Sequence, residues 1–158
     1  MGRPKLDAFG FGLTLGAMEI VLVPDPERSD VEAVETGLIA SNIDAAGRDR
    51  GYQPLVLHLV DPETGIVVGG LSGWTLFDWL YVDLLHVPPS LQGQGHGRAL
   101  LQRAEAFAQE RNCVGVWLDT FSFQARPFYE KQGFSVFGTL EDHPVGGRRF
   151  FMQKRFVP

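Results

Sequence analysis

The spacing of hydrophobic residues changes along the chain from strand-like to helix-like and back. Four short apolar runs, each ended by turn residues, predict strands at residues 18–23, 54–60, 66–74 and 79–87. Apolar residues at residues 30–47 recur instead at helical spacing, with Gly47 as the stop. This segment predicts one or two short helices, with Ser29 or Asp30 as the N-cap and a break allowed at Gly37.

The second half of the chain predicts further alternation of helices and strands. Residues 98–112 have the apolar stripe of an amphipathic helix. After it we predict a strand, a helix and two strands, at residues 114–118, 122–132, 134–140 and 149–156. A turn at residues 61–65 predicts an antiparallel hairpin, whereas a helix between two paired strands requires a parallel crossover.

The run at residues 79–87 is apolar at both odd and even positions, which predicts a central strand covered on both faces. Together these elements indicate an α/β protein of the α+β kind. Its core is a mixed, mostly antiparallel central sheet flanked by helices.

A glycine-rich loop joins the central strand to the amphipathic helix, and it is the strongest chemical signal in the chain. Its residues are Leu91, Gln92, Gly93, Gln94, Gly95, His96, Gly97 and Arg98. Backbone N–H groups at such a helix start, together with the helix dipole, form a cradle for a phosphate. Glycine suits the cradle because it accepts positive φ and leaves the amides uncovered. A tight turn without a ligand is the alternative.

Two common nucleotide motifs fit this loop poorly. A Walker loop requires Gly-Lys-Ser/Thr, and here Gly97 is followed by Arg98 and alanine. A dinucleotide motif needs a third glycine where Arg98 stands, although Asp119 imitates its ribose-binding acid. Dinucleotide binding therefore stays open as an alternative, but the loop follows a fourth strand instead of opening the fold.

Length, charge and cysteine content narrow the class of protein. The chain has 158 residues, and we expect a flexible N-terminal extension at residues 1–17 before a single domain at residues 18–158. A net charge of −5 gives a nucleic-acid partner no support. A single cysteine, Cys113, excludes an intramolecular disulfide and a cysteine metal site. We expect a cytoplasmic protein with no metal, no nucleic acid and no membrane segment.

Two motifs in this order resemble the GCN5-related N-acetyltransferases. Gln92, Gly95 and Gly97 match the family's acyl-CoA loop, Gln/Arg-x-x-Gly-x-Gly/Ala, and Tyr129 stands before Gly133 and a phenylalanine as in its second hallmark. The resemblance covers about residues 18–156 and implies the acyl-CoA N-acyltransferase fold of this family. It also implies an N-acetyltransferase that moves acetyl from acetyl-CoA to a primary amine of a small molecule or protein, by direct attack in a ternary complex.

The resemblance also implies roles for particular residues. The CoA pyrophosphate would lie on the loop amides, and the pantetheine arm would pair with the backbone beside the loop. The cofactor-binding residues are then Leu85, Val87, Gln92, Gly93, Gln94, Gly95, His96, Gly97 and Arg98. The Val87 N–H would polarise the thioester carbonyl, and Tyr129 would protonate the departing thiolate. Many members carry Asn where Phe123 stands, which removes one expected cofactor contact.

The general base and the acceptor site are less constrained by sequence. Strand alternation puts Asp83 on one face with Leu85 and Val87 and turns His86 away, which favours Asp83 over His86 as the base. A buried acid bonded to the backbone is the alternative role for Asp83. Asp119 is a second acid that could reach the same cleft. We expect acceptor specificity from residues 31–50 and 141–148, with Trp74, Trp79 and Tyr81 as an aromatic wall or as core.

Two other functions remain open as alternatives to an N-acetyltransferase. The chain could be a non-catalytic CoA-binding or protein-interaction domain of the same fold, or less readily a dinucleotide-binding protein. An exposed edge strand would also allow a homodimer.

Overall fold

The computed structural model describes residues 13–15, 18–49 and 51–156, which belong to two units, Met1–Arg48 and Asp49–Pro158. In the first unit, β1 (Leu13–Leu15) pairs antiparallel with β2 (Met18–Ile20). The strand predicted at residues 18–23 is therefore shorter than expected, and β1 was not predicted. The remainder of the expected extension lies outside the described residues, so the extension and the single domain stay predictions.

Helix α1 (Arg28–Ala46) is one continuous helix of 19 residues, so the break allowed at Gly37 is not present. Its N-cap is Glu27 and not Ser29 or Asp30, because Asp30 occupies the third helical position and its carboxylate accepts the Glu27 N–H at 2.8 Å. The predicted stop is confirmed: Gly47 adopts a φ of +63° and caps the helix end.

The second unit contains a six-stranded sheet with two helices in its connections. The strands are β3 (Gln53–Val60), β4 (Val67–Leu76), β5 (Trp79–His86), β6 (Gly115–Phe121), β7 (Ser135–Glu141) and β8 (Arg148–Arg155), and the helices are α2 (His96–Glu110) and α3 (Arg126–Lys131). The strand order is β3-β4-β5-β6-β8-β7. Only β5 and β6 are parallel, which confirms the mixed, mostly antiparallel sheet.

Helix α3 is shorter than the segment predicted at residues 122–132. The reason is local: the Gln124 side-chain oxygen accepts the Phe121 N–H at 2.8 Å and the Thr120 hydroxyl at 3.2 Å, which holds a turn before the helix. Pro127 then lies in the first turn of α3, where a missing N–H is harmless.

The core of this unit lies between α2 and the sheet. Leu100, Leu101, Ala104 and Ala108 are the buried residues of α2, and they join Leu80 and other strand residues in one apolar cluster. Ala104 and Ala108 are both 0% exposed, and their small side chains let the helix axis approach the sheet closely. This packing fixes the start of α2 relative to the end of β5.

Strand β5 carries two irregularities that shape the molecule. It pairs with β6 only as far as Val82, opposite Leu118, so residues 83–86 have no partner on that side. On the β4 side the register shifts, because Gly73 faces Val82 while Ser72 faces Leu84. Asp83 is the extra residue of a β-bulge.

The bulge overturns the face assignment made from simple alternation. Leu85 and Val87 pack with the same core cluster as Leu80 and Val82, so the two halves of β5 are out of phase. The inference that Asp83 shares a face with Leu85 and Val87 is wrong. The prediction that this strand is covered on both faces also fails beyond Val82, because residues 83, 84 and 86 are exposed.

Candidate active site

A cavity of about 1010 Å³ opens where β5 and β6 separate. It lies between the carboxyl ends of the two strands, the glycine loop and α3. It brings together most of the residues predicted for catalysis and cofactor binding, namely Asp83, Leu85, Val87, Gln92, Gly93, Gly95, His96, Gly97, Arg98 and Tyr129. Gln94 is the exception: it does not line the cavity, and its side-chain amide donates to the Ser90 carbonyl at 2.9 Å.

The glycine loop leaves a row of backbone donors unused. Among the described residues, no hydrogen bond engages the N–H groups of residues 93–98. Gly93 and Gly95 adopt φ of +75° and +91°, and a β-carbon at either position would meet only open space. Gly95 is the N-cap of α2, whose first turn contains no acidic residue. N–H groups left open at a helix start have the geometry that binds anions.

Gly97 is required for a different reason. A β-carbon there would lie 3.1 Å from the Cζ atom of Phe128, so glycine allows α3 to pack against the first turn of α2. This contact brings Phe128 and Tyr129 beside the cradle.

Gln92 ties the loop back to the end of β5. Its Nε2 donates to the Val87 carbonyl at 3.0 Å, while the Val87 N–H has no partner among the described residues. The carbonyl of Val87 is thus occupied and its N–H is available. The sequence motif identified Gln92 but gave no indication of this contact.

Tyr129 is only 9% exposed, yet it lines the cavity. Its ring packs edge-to-face on Phe128 and Phe134, and its hydroxyl has no hydrogen-bond partner in the described part of the chain. Burial first, and the negative charge of Asp119 second, raise the pKa of the Tyr129 phenol. The side chain therefore keeps its proton at neutral pH and can donate it into the cavity.

Asp119 is held by two partners within the same cavity. Its Oδ1 accepts the Arg149 Nε at 2.6 Å, and its Oδ2 accepts the Tyr81 hydroxyl at 3.0 Å. Burial, followed by the charge of Asp119 and the hydrogen bond to it, raises the pKa of Tyr81 to about 12. Because both carboxylate oxygens are engaged, Asp119 is a structural anchor of this wall. Arg149 was not identified from the sequence.

Asp83 and His86 both line the cavity and both are exposed. The expectation that His86 points away from the site is therefore wrong, because the bulge ends the alternation on which it rested. A buried structural role for Asp83 is likewise wrong. Asp83 forms no ion pair with any residue that the structure describes.

Aromatic residues of the cavity differ from those expected. Of the predicted wall, Tyr81 lines the cavity, while Trp74 packs on the Tyr81 ring and Trp79 lies under the Arg155 guanidinium. Phe121 and Phe128 also line the cavity, although neither was predicted to do so, and Phe123 was predicted only as a departure from the family pattern.

The two segments expected to bind the acceptor belong mostly to different units of the structure. Residues 31–48 belong to the first unit, Asp49 begins the second, and position 50 lies outside the described residues. His143, within residues 141–148, contacts the Phe121 ring at 5.4 Å between centroids.

Two further features concern the described ranges as a whole. None of the helices there combines the length and apolar character needed to cross a membrane. The same ranges contain no group of three or more histidine, cysteine or acidic side chains placed to hold a metal ion.

Comparison with known proteins gives a consistent result. Residues 22–134 match the model of the acetyltransferase (GNAT) family. An acetyltransferase of Agrobacterium fabrum is 34% identical over 139 residues, which are 88% of this chain and 100% of the relative. Blasticidin-S acetyltransferase of Streptomyces morookaense is 41% identical over 85 residues, 53% of this chain and 62% of the relative.

A solved structure extends the similarity to three dimensions. The crystal structure of an acetyltransferase from Agrobacterium tumefaciens superposes with a TM-score of 0.81 at 34% identity, covering 88% of this chain and 100% of that one. The chain belongs to the GCN5-related N-acetyltransferase family and has its fold. It is an acyltransferase, an acetyl-CoA-dependent N-acetyltransferase.

Proposed function

We propose that the cavity binds acetyl-CoA with its pyrophosphate on the N–H groups of residues 93–98 and its pantetheine arm along β5. The observation that carries this proposal is that the unused loop amides and the unpaired edge of β5 open into one cavity. A free strand edge offers donors and acceptors to an amide-containing chain, as it would to another strand. Residues 83–86, Leu85 among them, supply that edge, and the Arg98 side chain adds positive charge beside the phosphates.

The chemical step follows from the groups around this edge. The nitrogen of the acceptor amine attacks the thioester carbonyl carbon, so a C–N bond forms and negative charge develops on the carbonyl oxygen. The unused Val87 N–H donates to that oxygen. The C–S bond then breaks, and the Tyr129 hydroxyl gives its proton to the departing CoA thiolate. No covalent enzyme intermediate is needed.

Asp83 takes the proton that the attacking amine loses, directly or through one water molecule. The support is its place on the bulge, exposed to the cavity and without an ion-pair partner among the described residues. His86 is the competing residue, because it lines the same cavity. The matched variants Asp83→Asn and His86→Asn separate the two: the variant that loses the acidic, ascending limb of the kcat/KM pH profile identifies the base.

The acceptor is a primary amine of a small molecule. The name of the relative from Streptomyces morookaense supports a small-molecule acceptor over a protein. Asp83 adds a carboxylate that has no ion-pair partner among the described residues, which favours a cationic amine.

The proposal is tested by measuring CoA thiol release against a panel of small primary amines. Tyr129→Phe removes one hydroxyl and no hydrogen bond, so we expect a fall in kcat of about 100-fold with the Kd for acetyl-CoA unchanged. Tyr52→Phe, an exposed tyrosine outside the cavity, is the control. An unchanged kcat in Tyr129→Phe removes the acid role.

Two results would favour the alternative functions. If acetyl-CoA binds but no amine causes thiol release, the protein is a non-catalytic CoA-binding domain. If NAD binds more tightly than acetyl-CoA, the protein is a dinucleotide-binding protein.

We also propose a cytoplasmic location, supported by the single buried cysteine, and a homodimer through an edge of the sheet. Strands β3 and β7 form the two edges of the six-stranded sheet. Cell fractionation tests the location, and sedimentation equilibrium tests the dimer.

A further inference from the structure

Phe123 combines two properties that rarely occur together in one side chain. It is 70% exposed, and it lines the cavity. A single exposed phenylalanine on a convex surface is ordinary, but one that lines a concave site beside charged groups is a binding feature.

The segment that presents Phe123 is held in place on both sides. The Ser122 N–H donates to the Arg148 carbonyl at 2.7 Å, and the Arg148 N–H donates back to the Ser122 hydroxyl at 3.1 Å. One residue further on, Gln124 binds the Phe121 N–H. The exposure of Phe123 is therefore built into the turn.

The ring of Phe123 has one occupied face and one open face. Phe121 stacks on it with an interplanar angle of 5° and a centroid distance of 5.3 Å. Phe121 is in turn backed by the Arg149 guanidinium at 5.3 Å and by the His143 ring. The remaining face of Phe123 is a flat apolar platform.

The platform and the glycine loop have different neighbours in the cavity wall. The cradle packs against Phe128, through Gly97, whereas the Phe121–Phe123 pair packs against Arg149 and His143. Arg149 belongs to the wall formed with Asp119 and Tyr81, in which the guanidinium and the carboxylate neutralise each other. Near this wall, a ligand can therefore contact the planar face of the Phe123 ring and the carboxylate of Asp83, which line the same cavity.

We propose that Phe123 is a specificity-determining residue, whose open face stacks on a planar aromatic or heteroaromatic ring of a small-molecule amine acceptor. The inference rests on the proposed function, because it assigns the acceptor end of the same cavity. Ring stacking favours planar over saturated groups of equal size, and it is sensitive to loss of the protein ring.

The test compares 2-phenylethylamine with 2-cyclohexylethylamine, two primary amines of similar apolar size that differ in planarity. Wild type, Phe123→Leu, Phe123→Tyr and the control Phe137→Leu are each measured for kcat/KM with both amines, and for the Kd of acetyl-CoA. Phe137 is 54% exposed and does not line the cavity. Binding of each amine to the CoA-loaded protein is measured in parallel by saturation-transfer NMR.

We expect wild type to favour the phenyl amine and Phe123→Leu to lose about 3- to 10-fold in kcat/KM for it, with little change for the cyclohexyl amine. Phe123→Tyr should retain the preference, and Phe137→Leu should behave as wild type. Equal losses with both amines, or a raised Kd for acetyl-CoA in Phe123→Leu, would overturn the inference. Turnover without ring preference refutes the inference alone. Ring-selective binding that depends on Phe123 but gives no turnover refutes the proposed function alone.

Discussion

A negative charge placed at the start of α2 should strongly weaken the binding of CoA while leaving the protein folded. Gly95→Glu is the sharpest such change, because Gly95 is the N-cap of α2 and a side chain there would extend into open space. The variant adds a carboxylate to the cradle without a steric clash inside the protein.

The expected size of the effect can be worked out in two parts. A non-glycine residue at a φ of +91° costs about 1–2 kcal/mol of folding free energy. A helix N-terminus offsets part of this, since it stabilises a negative charge by about 0.3–1 kcal/mol. A carboxylate about 5 Å from each of two pyrophosphate charges, at the dielectric constant of water, weakens CoA binding by about 1.7 kcal/mol, roughly 20-fold in Kd. Any exclusion of water from the cavity makes the loss larger.

Two control variants separate charge from shape and from backbone strain. Gly95→Gln has nearly the same side chain without the charge. Gly65→Glu carries the same strain elsewhere, because Gly65 has a φ of +70° with open space around it and does not line the cavity. Calorimetric titration with CoA gives the Kd of each variant, and urea denaturation gives its free energy of unfolding.

We expect Gly65→Glu to lose stability but to bind CoA as wild type does, whereas Gly95→Glu binds far more weakly than Gly95→Gln. The ratio of the Kd of Gly95→Glu to that of Gly95→Gln should shrink as salt is added, because salt screens the repulsion between the carboxylate and the pyrophosphate. Equal Kd values for folded Gly95→Glu and Gly95→Gln would refute the assignment of a pyrophosphate to this helix start.

Three further predictions concern neighbouring contacts. Gln92→Ala removes the hydrogen bond to the Val87 carbonyl, so steady-state kinetics should show a KM for acetyl-CoA raised about 3- to 10-fold, with unfolding free energy changed by no more than about 1 kcal/mol. Gly97→Ala forces a methyl group against Phe128 and should lower stability by about 1 kcal/mol in urea denaturation, a loss that Phe128→Leu relieves in the double variant. The pKa of Tyr81 is raised from 10.0 to about 12 in the folded protein, so the fold holds this proton more tightly than the unfolded chain does. Its contribution to stability is complete below pH 10 and disappears as pH rises toward 12, and Tyr81→Phe should flatten the decline seen by denaturation between about pH 9 and 12.

The parts of the fold that depend on local pattern were predictable. The change between strand-like and helix-like spacing of apolar residues located β3 to β8 and α2. The glycines located the turn before α2, because turn and cap residues act within a few positions of themselves. The parallel pair β5–β6 followed from the helix between them.

What escaped prediction depends on partners far away in the chain. The bulge at Asp83 arises from the register with Ser72 and Gly73 on β4, and nothing around Asp83 itself signals it. It placed His86 in the cavity against expectation. Arg149 joins Asp119 across the β6–β8 register, 30 positions away, and no periodicity links the two. The stacked pair of Phe121 and Phe123 emerged only from the structure, because the turn between them is held by hydrogen bonds of Ser122 with the distant Arg148.

The unused amides of residues 93–98 have a consequence for how the enzyme responds to its surroundings. A main-chain N–H neither gains nor loses a proton near neutrality, so a donor site built from such groups has no titration of its own. Affinity for acetyl-CoA should then stay nearly level across the neutral and mildly alkaline range. Any sensitivity of turnover to acidity in that range belongs to the side chains that line the cavity and not to these N–H groups.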